Sequence, residues 1–298
     1  MLVVAIVVTY NGLKWLDKCF GSLRDSDVEL RTFVVDNGSS DGTVSYLQDH
    51  FPEVEIFESR ENLGFAKANN IGIKHAIQCD ADYIFLLNQD AWIEKNTITE
   101  LINTFSCCEN TGIAVPVQLN GSYSGLDDCF SGYLPKEFIS DLYVEHLEDF
   151  YVLPFMNAAA WMISAECVKR VGGFDTQLFY HYGEDDNYCQ RVHYHHFKLV
   201  LNTRCTFCHD REFRKGKEKE YRERMMRLSP FGKENLLYGD INKDFDIKDL
   251  IRDHIKSLFF ALLILSPSRI RKHRLMIHQL RKIQESRCAN MAGGLAWL

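Results

Sequence analysis

The chain has 298 residues, of which 46% are hydrophobic and 25% are charged. This is the composition of an ordinary globular protein, so it excludes disordered, fibrous and low-complexity classes. The net charge of −7 is divided unevenly: residues 1–210 carry 14 Lys and Arg against 30 Asp and Glu, and residues 211–298 carry 20 against 11. An acidic main part argues against nucleic-acid binding, because it would repel phosphates. We predict two regions, 1–210 and 211–298.

The N-terminus and the cysteines indicate where the protein works. The apolar N-terminus lacks the basic start of a signal peptide and is rich in β-branched residues, which predicts a buried strand over Leu2–Val8. Ten cysteines are scattered from Cys19 to Cys288, unlike the framework of a small secreted domain, which favours a reducing cytoplasm. No apolar run reaches the ~20 residues that a membrane span needs.

Strands and helices are predicted to alternate after this first strand. Further strands are expected at Arg31–Asp36, Val54–Ser59 and Asp82–Asn88, and helices at Lys14–Ser22, Thr43–His50 and Phe65–Gln78. Repeated strand–helix units predict an α/β fold with a Rossmann-like, mostly parallel central sheet and helices on both faces.

A polar cluster follows each of these four strands: TYNG, DNGSSDG, ENLGFAKANN and NQD. Ligands of parallel sheets bind at the carboxyl ends of the strands, so the clusters predict a binding site there. No GxGxxG follows the first strand and no GxxxxGK[ST] occurs in the chain, which argues against a classical dinucleotide site and a P-loop.

Carboxylates stand at three places where chemistry is expected. Asp36 is suited to a nucleobase or ribose, although such a turn also satisfies its own backbone. Asp90 is suited to Mg²⁺ or Mn²⁺ on a diphosphate, or to capping a helix that begins near Ile93. In the run Glu184-Asp185-Asp186, crowding can tune one acid into a general base, whereas a helix N-terminus would also favour negative charge.

The segment from Cys205 to His209 reads CTFCH, the attachment signature of haem c. Haem attachment of this type implies export, which nothing in the sequence encodes. Zinc would need a second pair of ligands, and none follows at convincing spacing. A third interpretation makes His209 a ligand of a phosphate-bound cation, with buried cysteines beside it.

Five segments together resemble a known family: VVTYNG, VVDNGSSDGT, ENLGFAKANNIGI, LLNQDA and VGGFD…FYHYGEDDNYCQR. In this order they resemble the family-2 inverting glycosyltransferases with the GT-A fold. They are most similar to rhamnosyltransferase-like members that build bacterial surface polysaccharides. The resemblance covers residues 1–210 and implies a GT-A catalytic domain, followed by a helical appendage.

The resemblance also implies roles for individual residues. It implies that Asp185, with Glu184, provides the catalytic base, and that Asp90 and His209 bind Mg²⁺ or Mn²⁺. The residues implied for nucleotide-sugar binding are Thr9, Tyr10, Asn11, Asp36, Asn62, Gly64, Asn69, Asn88, Gln89 and Arg191. Asn157 and Trp161 are expected to form an acceptor wall, because an indole face stacks well on sugars, or else to pack in the core.

The chain departs from the family pattern at three points. Asn88 replaces the first aspartate of the DXD motif, which implies a weaker metal site. Asp186 follows the Glu-Asp pair where many members have a hydrophobic residue, so the choice of proton acceptor stays open. The QxxRW motif of processive synthases is absent, which favours a single addition over polymerisation.

The resulting expectation is transfer from a nucleoside-diphosphate sugar, dTDP-rhamnose or a UDP-sugar, to a glycan or a polyprenyl-linked acceptor. A sugar-phosphate nucleotidyltransferase is the first alternative, but TYNGLKW is not the Gly-rich activating loop of that class. A non-catalytic, degenerate domain is the second, and Asn88 is its only support.

The C-terminal region predicts two helices of different character. Apolar residues keep helical spacing from Ile247 to Leu265, a break follows at 266–268, and a basic helix comes next. The pattern is typical of an interfacial anchor on an anionic inner membrane surface. A helical hairpin that packs on the catalytic domain or on a second subunit of a homo-oligomer is the alternative.

Overall fold

The computed structural model describes residues 1–211, 217, 220, 223 and 228–298. The predicted C-terminal region, 211–298, therefore lies partly outside the described residues.

The strands are β1 (Val3–Thr9), β2 (Leu30–Asp36), β3 (Glu55–Glu58), β4 (Tyr83–Asn88), β5 (Ala91–Ile93), β6 (Thr111–Asn120), β7 (Phe150–Leu153), β8 (Ala160–Ser164) and β9 (Lys198–His209).

Helices connect these strands and continue after the last one. They are α1 (Leu16–Arg24), preceded by a 3₁₀ turn at Leu13–Trp15, α2 (Thr43–His50), α3 (Phe65–Gln78), α4 (Thr97–Cys107), α5 (Asp128–Ser131), α6 (Lys136–Tyr143), α7 (Ala165–Val171), α8 (Glu184–Tyr194), α9 (Gly232–Gly239), α10 (Ile247–Leu263) and α11 (Pro267–Ala292). Each strand and helix predicted up to Asn88 is present, with ends that differ by at most a few residues.

Across the described residues, the strands form one nine-stranded sheet of order β3-β2-β1-β4-β8-β6-β9-β5, with β7 also paired to β9. Strands β1 to β4 pair in parallel, as predicted. The other half is mixed, because β8 runs antiparallel to β4 and β6, and β5 and β7 run antiparallel to β9. The fold is thus an α/β sheet with helices, followed by C-terminal helices.

The unbroken apolar run of β1 is explained by burial on both of its faces. Val4 and Ile6 point into one core layer, which includes side chains of α3, α7 and α8. Val3 and Val7 point into the other, which includes side chains of α1, α2 and α4. Successive strand side chains alternate between faces, so a strand covered on both sides must be apolar throughout.

The predicted helix near Ile93 is wrong. Residues 91–93 form β5 instead, in which Ala91 pairs with His209 of β9, and α4 begins only at Thr97. Pairing with a distant strand outweighs local helix propensity, and it brings Asp90 beside His209.

The C-terminal helices α10 and α11 form an antiparallel hairpin. Near its base, Ile247, Leu280 and Ile283 pack against Leu178 and Phe179 of the region 1–210. Among the described residues, no helix is long and apolar enough to cross a membrane.

Candidate active site

The carboxyl ends of β1 and β2 are joined through Asp36. Thr9 pairs with Asp36 in the strand register and donates its hydroxyl to Asp36 Oδ1 at 2.8 Å. The backbone amides of Gly38 and Ser39 donate to Asp36 Oδ2 at 3.1 and 2.8 Å. The Asp36 carboxylate therefore stabilises its own turn, as in the alternative in which this turn satisfies its own backbone. A contact with a nucleobase would come in addition to these hydrogen bonds.

Gln89 fastens the end of β4 to the loop after β1. Its Oε1 accepts from the Tyr10 amide at 2.8 Å and its Nε2 donates to the Tyr10 carbonyl at 3.1 Å. A Cβ atom at Gly12 would lie 2.2 Å from Gln89 Oε1, so a larger residue there would displace the Gln89 side chain. Gln89 thus positions this loop with both polar atoms, and the Tyr10 side chain stays exposed at the rim.

The loop before α3 is shaped around a glycine. Gly64 has φ +82°, and a Cβ there would lie 2.8 Å from the Tyr180 carbonyl. Asn62 Oδ1 accepts from the Gly64 amide at 2.9 Å, and the Tyr180 hydroxyl donates to the Asn62 carbonyl at 3.1 Å. The predicted donor residues Asn62 and Gly64 therefore adjoin the aromatic segment that precedes the carboxylate cluster.

Two other residues implied for donor binding are engaged locally. Asn11, with φ +48°, accepts from the Ser40 amide at 2.9 Å and so ties two loops together. Asn69 is buried, and its Nδ2 donates to the Phe65 carbonyl at 3.0 Å inside α3. Both side chains therefore use these hydrogen bonds to hold the protein's own backbone.

Asp90 and His209 lie side by side at the ends of β4 and β9. His209 Nε2 is 3.2 Å from Asp90 Oδ1 and 3.5 Å from Asn88 Nδ2, and both members of the Asp–His pair are buried. In the part of the chain that the structure describes, no third His, Cys, Asp or Glu joins them. One carboxylate and one imidazole suit a cation that takes its remaining ligands from a diphosphate and water. The residues fit Mg²⁺ or Mn²⁺.

Gln118, which the sequence analysis missed, lies behind His209. Its Nε2 is 2.8 Å from His209 Nδ1, and its Oε1 accepts from Asn157 Nδ2 at 3.1 Å. Asn157 Oδ1 is buried and has no hydrogen-bond partner among the described residues. A glutamine directly after the apolar residues 112–117 of β6 was the available signal, because a wholly buried amide needs partners.

The three consecutive carboxylates occupy the first turn of α8, after Gly183 in the left-handed conformation with φ +93°. Burial, and then the charge of Asp185, raises the pKa of Glu184 well above its usual value. Burial and the charge of Asp185 likewise raise the pKa of Asp186 to about 7. Both neighbours therefore tend to hold a proton near neutral pH.

Asp185 differs from its neighbours in what surrounds it. Burial raises its pKa, but backbone amides, including that of Ala158, and the charge of Arg211 act in the opposite direction. Arg211 in turn forms a largely buried ion pair with Asp127 at 3.2 Å. Asp185 is thus the carboxylate of the cluster whose charged form is supported by a nearby cation. Arg211 and Asp127 were not predicted, since 84 residues separate them in the sequence.

Two predicted site residues are corrected. Trp161 is 0% exposed and packs against Phe174 and Tyr188, so its indole has no free face for an acceptor sugar. The alternative of core packing is the correct one. Arg191 is also 0% exposed, and it donates to the carbonyls of Val171 at 2.7 Å and Gly173 at 2.6 Å. It holds these two backbone segments together from the interior, instead of being exposed to a nucleotide sugar.

The CTFCH segment lies within β9, and both of its cysteines are buried. Burial raises the pKa of Cys208 to about 11 and that of Cys205 further still, which disfavours the thiolates that zinc would require. Of the three interpretations, the arrangement supports the third, in which His209 acts apart from the cysteines.

Comparisons with known proteins agree with this geometry. Residues 4–171, more than half of the chain, match the family model described as glycosyl transferase family 2. The dTDP-rhamnosyl transferase RfbF of Shigella flexneri is 27% identical over 191 residues, which are 63% of this chain and 62% of RfbF. The chain thus spans less than two thirds of that relative.

Two solved structures share the GT-A-type fold. GalNAc-T7 with UDP, GalNAc and Mn²⁺ has a TM-score of 0.58 at 17% identity, covering 70% of this chain and 44% of its own. The mannosyltransferase PcManGT of Pyrobaculum calidifontis with GDP-Man and Mn²⁺ has a TM-score of 0.55 at 16% identity, covering 97% and 86%. These similarities show the fold, and the match of the family model decides the assignment: the chain belongs to glycosyl transferase family 2.

Proposed function

We propose that this protein is an inverting glycosyltransferase that moves a sugar from a nucleoside diphosphate to an acceptor hydroxyl. One observation carries the proposal: a series of hydrogen bonds brings the predicted metal ligands towards the predicted base. It runs from Asp90 through His209 and Gln118 to Asn157, and the backbone amide of the next residue, Ala158, acts to lower the pKa of Asp185. A proton acceptor and a candidate cation site are thereby held in one framework, as displacement at a sugar–phosphate bond requires.

In the proposed reaction, the acceptor oxygen attacks the anomeric carbon while the bond from that carbon to the diphosphate oxygen breaks. Asp185 removes the proton of the attacking hydroxyl, and the nucleoside diphosphate leaves with the bonding electrons. A single displacement inverts the anomeric configuration and forms no covalent intermediate with the enzyme. The raised pKa values of Glu184 and Asp186 keep a larger fraction of both carboxyl groups protonated, so they add less negative charge to the site in which the diphosphate leaves.

We further propose that Asp90 and His209 hold a divalent cation, Mg²⁺ or Mn²⁺. The Mn²⁺ in the structures of GalNAc-T7 and PcManGT supports this part of the proposal. When bound, such a cation would neutralise charge that develops on the diphosphate. Asn88, which carries no charge, is 3.5 Å from His209 and would make the site less anionic than a DXD motif does.

For the donor, we propose dTDP-rhamnose or a UDP-sugar, and the similarity to a dTDP-rhamnosyl transferase supports the first. For the acceptor, we propose a glycan or a polyprenyl-linked saccharide of cell-surface polysaccharide synthesis. We therefore also propose that the protein works in the cytoplasm, at the inner face of the membrane, where region 211–298 would contact the anionic surface or a second subunit.

A thermal-shift screen with UDP, dTDP, GDP and ADP, with and without Mn²⁺, tests the pocket. A nucleotide held at 100 times its dissociation constant would raise the free energy of unfolding by about 2.7 kcal/mol. We expect a response to one nucleotide that grows with Mn²⁺. Responses to none of the four would favour the non-catalytic alternative.

Transfer itself is tested with the sugar donor of the nucleotide that binds. Product formation should follow donor consumption, and NMR of the product should show the anomeric configuration opposite to that of the donor. Retained configuration would exclude single displacement by Asp185. Release of pyrophosphate from a sugar phosphate and a nucleoside triphosphate would instead favour the nucleotidyltransferase alternative.

A further inference from the structure

Within the described residues, the hairpin formed by α10 and α11 leaves apolar side chains exposed at its far end. Its base packs on the protein through Ile247, Leu280 and Ile283. Towards the turn, Phe259 is 65% exposed, Phe260 59%, Leu263 65% and Leu265 82%. Exposed apolar patches of this kind mark contact sites, because burying them is favourable.

The exposed apolar residues of α10 continue into the turn that follows it. Phe259, Leu262 and Leu263 share one face of the helix, and Ala261 on the opposite face is buried. Residues 264–265, which follow the helix, are also exposed and extend the apolar surface over the turn. An apolar helix face that lies beside basic residues suits the boundary of an anionic lipid layer.

The charges beside the tip define which lipids fit. Residues 254–284 contain seven Lys and Arg and no Asp or Glu. Arg269, Arg271, Lys272 and Arg274 are exposed, and none of them forms an ion pair within the described part of the chain. At 1.5 Å per residue, these cations lie about 3 to 10 Å from the start of α11 at the tip. That is the depth of the headgroup layer when the tip enters the hydrocarbon edge.

A groove on the hairpin combines both properties. Leu265 and Leu275 line it together with Arg271, Arg274 and His278. Apolar side chains beside two guanidinium groups suit an acyl chain attached to a phosphate.

We propose that the hairpin tip, residues 259–275, is a docking site for anionic lipid membranes. The apolar residues enter the interface and the arginines and Lys272 contact lipid phosphates. The hairpin does not span the bilayer, and the proposal specifies the surface that the proposed inner-face location would use. It concerns residues outside the catalytic site, so it is tested separately from glycosyl transfer.

Vesicle flotation of the full chain tests the proposal, with phosphatidylcholine alone and with phosphatidylcholine mixed with phosphatidylglycerol. We expect binding to the anionic vesicles, weaker binding at high salt, and little binding to the neutral ones. Each of Arg271→Ala and Arg274→Ala should lower partitioning about fivefold, the loss of about 1 kcal/mol per cation. The pair Leu263→Ser and Leu265→Ser should lower it at least about tenfold.

Matched controls lie elsewhere on the surface. Leu142→Ser with Tyr143→Ser removes exposed apolar groups of α6, and Lys169→Ala with Arg170→Ala removes exposed cations of α7; both should bind vesicles like the original chain. Unchanged unfolding temperatures and an unchanged nucleotide response separate loss of docking from loss of the fold or of the donor site.

Three outcomes would overturn the proposal. One is equal binding to neutral and anionic vesicles, and another is no binding to either. The third is a combination of two results: the original chain binds no vesicles, and it sediments as a dimer. In that case the variant with both Leu263→Ser and Leu265→Ser would sediment as a monomer. That result would assign the tip to a second copy of the protein.

Discussion

Gln118 Nε2 lies 2.8 Å from His209 Nδ1, and His209 Nε2 lies 3.2 Å from Asp90 Oδ1. An amide nitrogen only donates, so in this orientation of the Gln118 amide Nδ1 is the acceptor and the ring hydrogen is on Nε2, facing Asp90. A cation needs the lone pair of Nε2. Rotation of the Gln118 amide by half a turn would place Oε1 beside Nδ1, so the ring hydrogen would move to Nδ1 and the lone pair of Nε2 would be available. If the Asn157 amide turns as well, its Oδ1, which has no hydrogen-bond partner among the described residues, accepts from Gln118 Nε2.

This contact predicts that two substitutions at position 118 differ in their effect on Mn²⁺ affinity. Gln118→Leu should weaken Mn²⁺ binding about 10- to 100-fold, because the ring loses the group that orients it. Gln118→Glu should bind Mn²⁺ at least as tightly as the original chain, because a carboxylate only accepts and keeps the proton on Nδ1. Mn²⁺ titration followed by EPR measures both affinities. Equal affinity in the two variants would show that Gln118 does not set the tautomer.

Asp185→Asn should lower the rate of transfer by about 10² to 10⁴, since the amide cannot take the acceptor proton. Donor binding, measured by thermal shift, should stay nearly unchanged. Asp186→Asn is the matched control: it removes an adjacent carboxylate and should keep most of the activity. Full activity in Asp185→Asn together with inactivity in Asp186→Asn would transfer the role of base to Asp186.

Trp161 should matter for stability and not for the acceptor. Trp161→Ala is expected to lower the free energy of unfolding by about 3–5 kcal/mol, because it empties a wholly buried site. Trp161→Phe should cost less, since the buried indole nitrogen has no hydrogen-bond partner among the described residues. Urea unfolding gives the stabilities, and transfer kinetics should show an unchanged acceptor KM in Trp161→Phe. A raised KM in a stably folded variant would restore the acceptor role.

The raised pKa of Asp186 predicts a pH dependence of stability. In the unfolded chain the pKa of this group is its usual value of 3.8, and in the folded chain it is about 7. Between these values the folded state binds more protons, so the group's contribution to stability is full below pH 3.8 and is lost as the pH rises to about 7. Asp186→Asn should therefore gain stability over the original chain across this window, by at most about 1.4 kcal/mol per pH unit. Urea unfolding at acidic and neutral pH measures the difference, and a constant difference at both would contradict the shift.

Gly12→Ala should loosen the loop after β1. The added Cβ would lie 2.2 Å from Gln89 Oε1, so Gln89 would have to give up its two bonds to Tyr10. We expect weaker nucleotide binding in the thermal-shift screen. Gly21→Ala in α1, where an added Cβ meets no atom within 4 Å, is the control and should leave binding unchanged. Equal nucleotide responses in the two variants would exclude a role for the Gln89 bonds in donor binding.

The sequence by itself determined the strands and helices from Leu2 to Asn88 and the helical hairpin after Ile247. Periodicity and turn residues act over a few positions, so they can be read directly from the chain. The order of polar clusters likewise indicated where the ends of β1, β2 and β4 would meet. The family resemblance, which the family model confirms over residues 4–171, implied a pairing of Asp90 with His209, and the structure brings these two side chains to 3.2 Å.

Only the tertiary structure decided which of these polar residues face a ligand and which support the fold. Pairing of β5 with β9 replaced the expected helix near Ile93, and burial from every side assigned Trp161 and Arg191 to the interior. Gln118 and Arg211 joined the site through contacts with His209 and Asp127, which are distant in the sequence. Burial and long-range hydrogen bonds depend on how the whole sheet closes, and no local pattern contains that information.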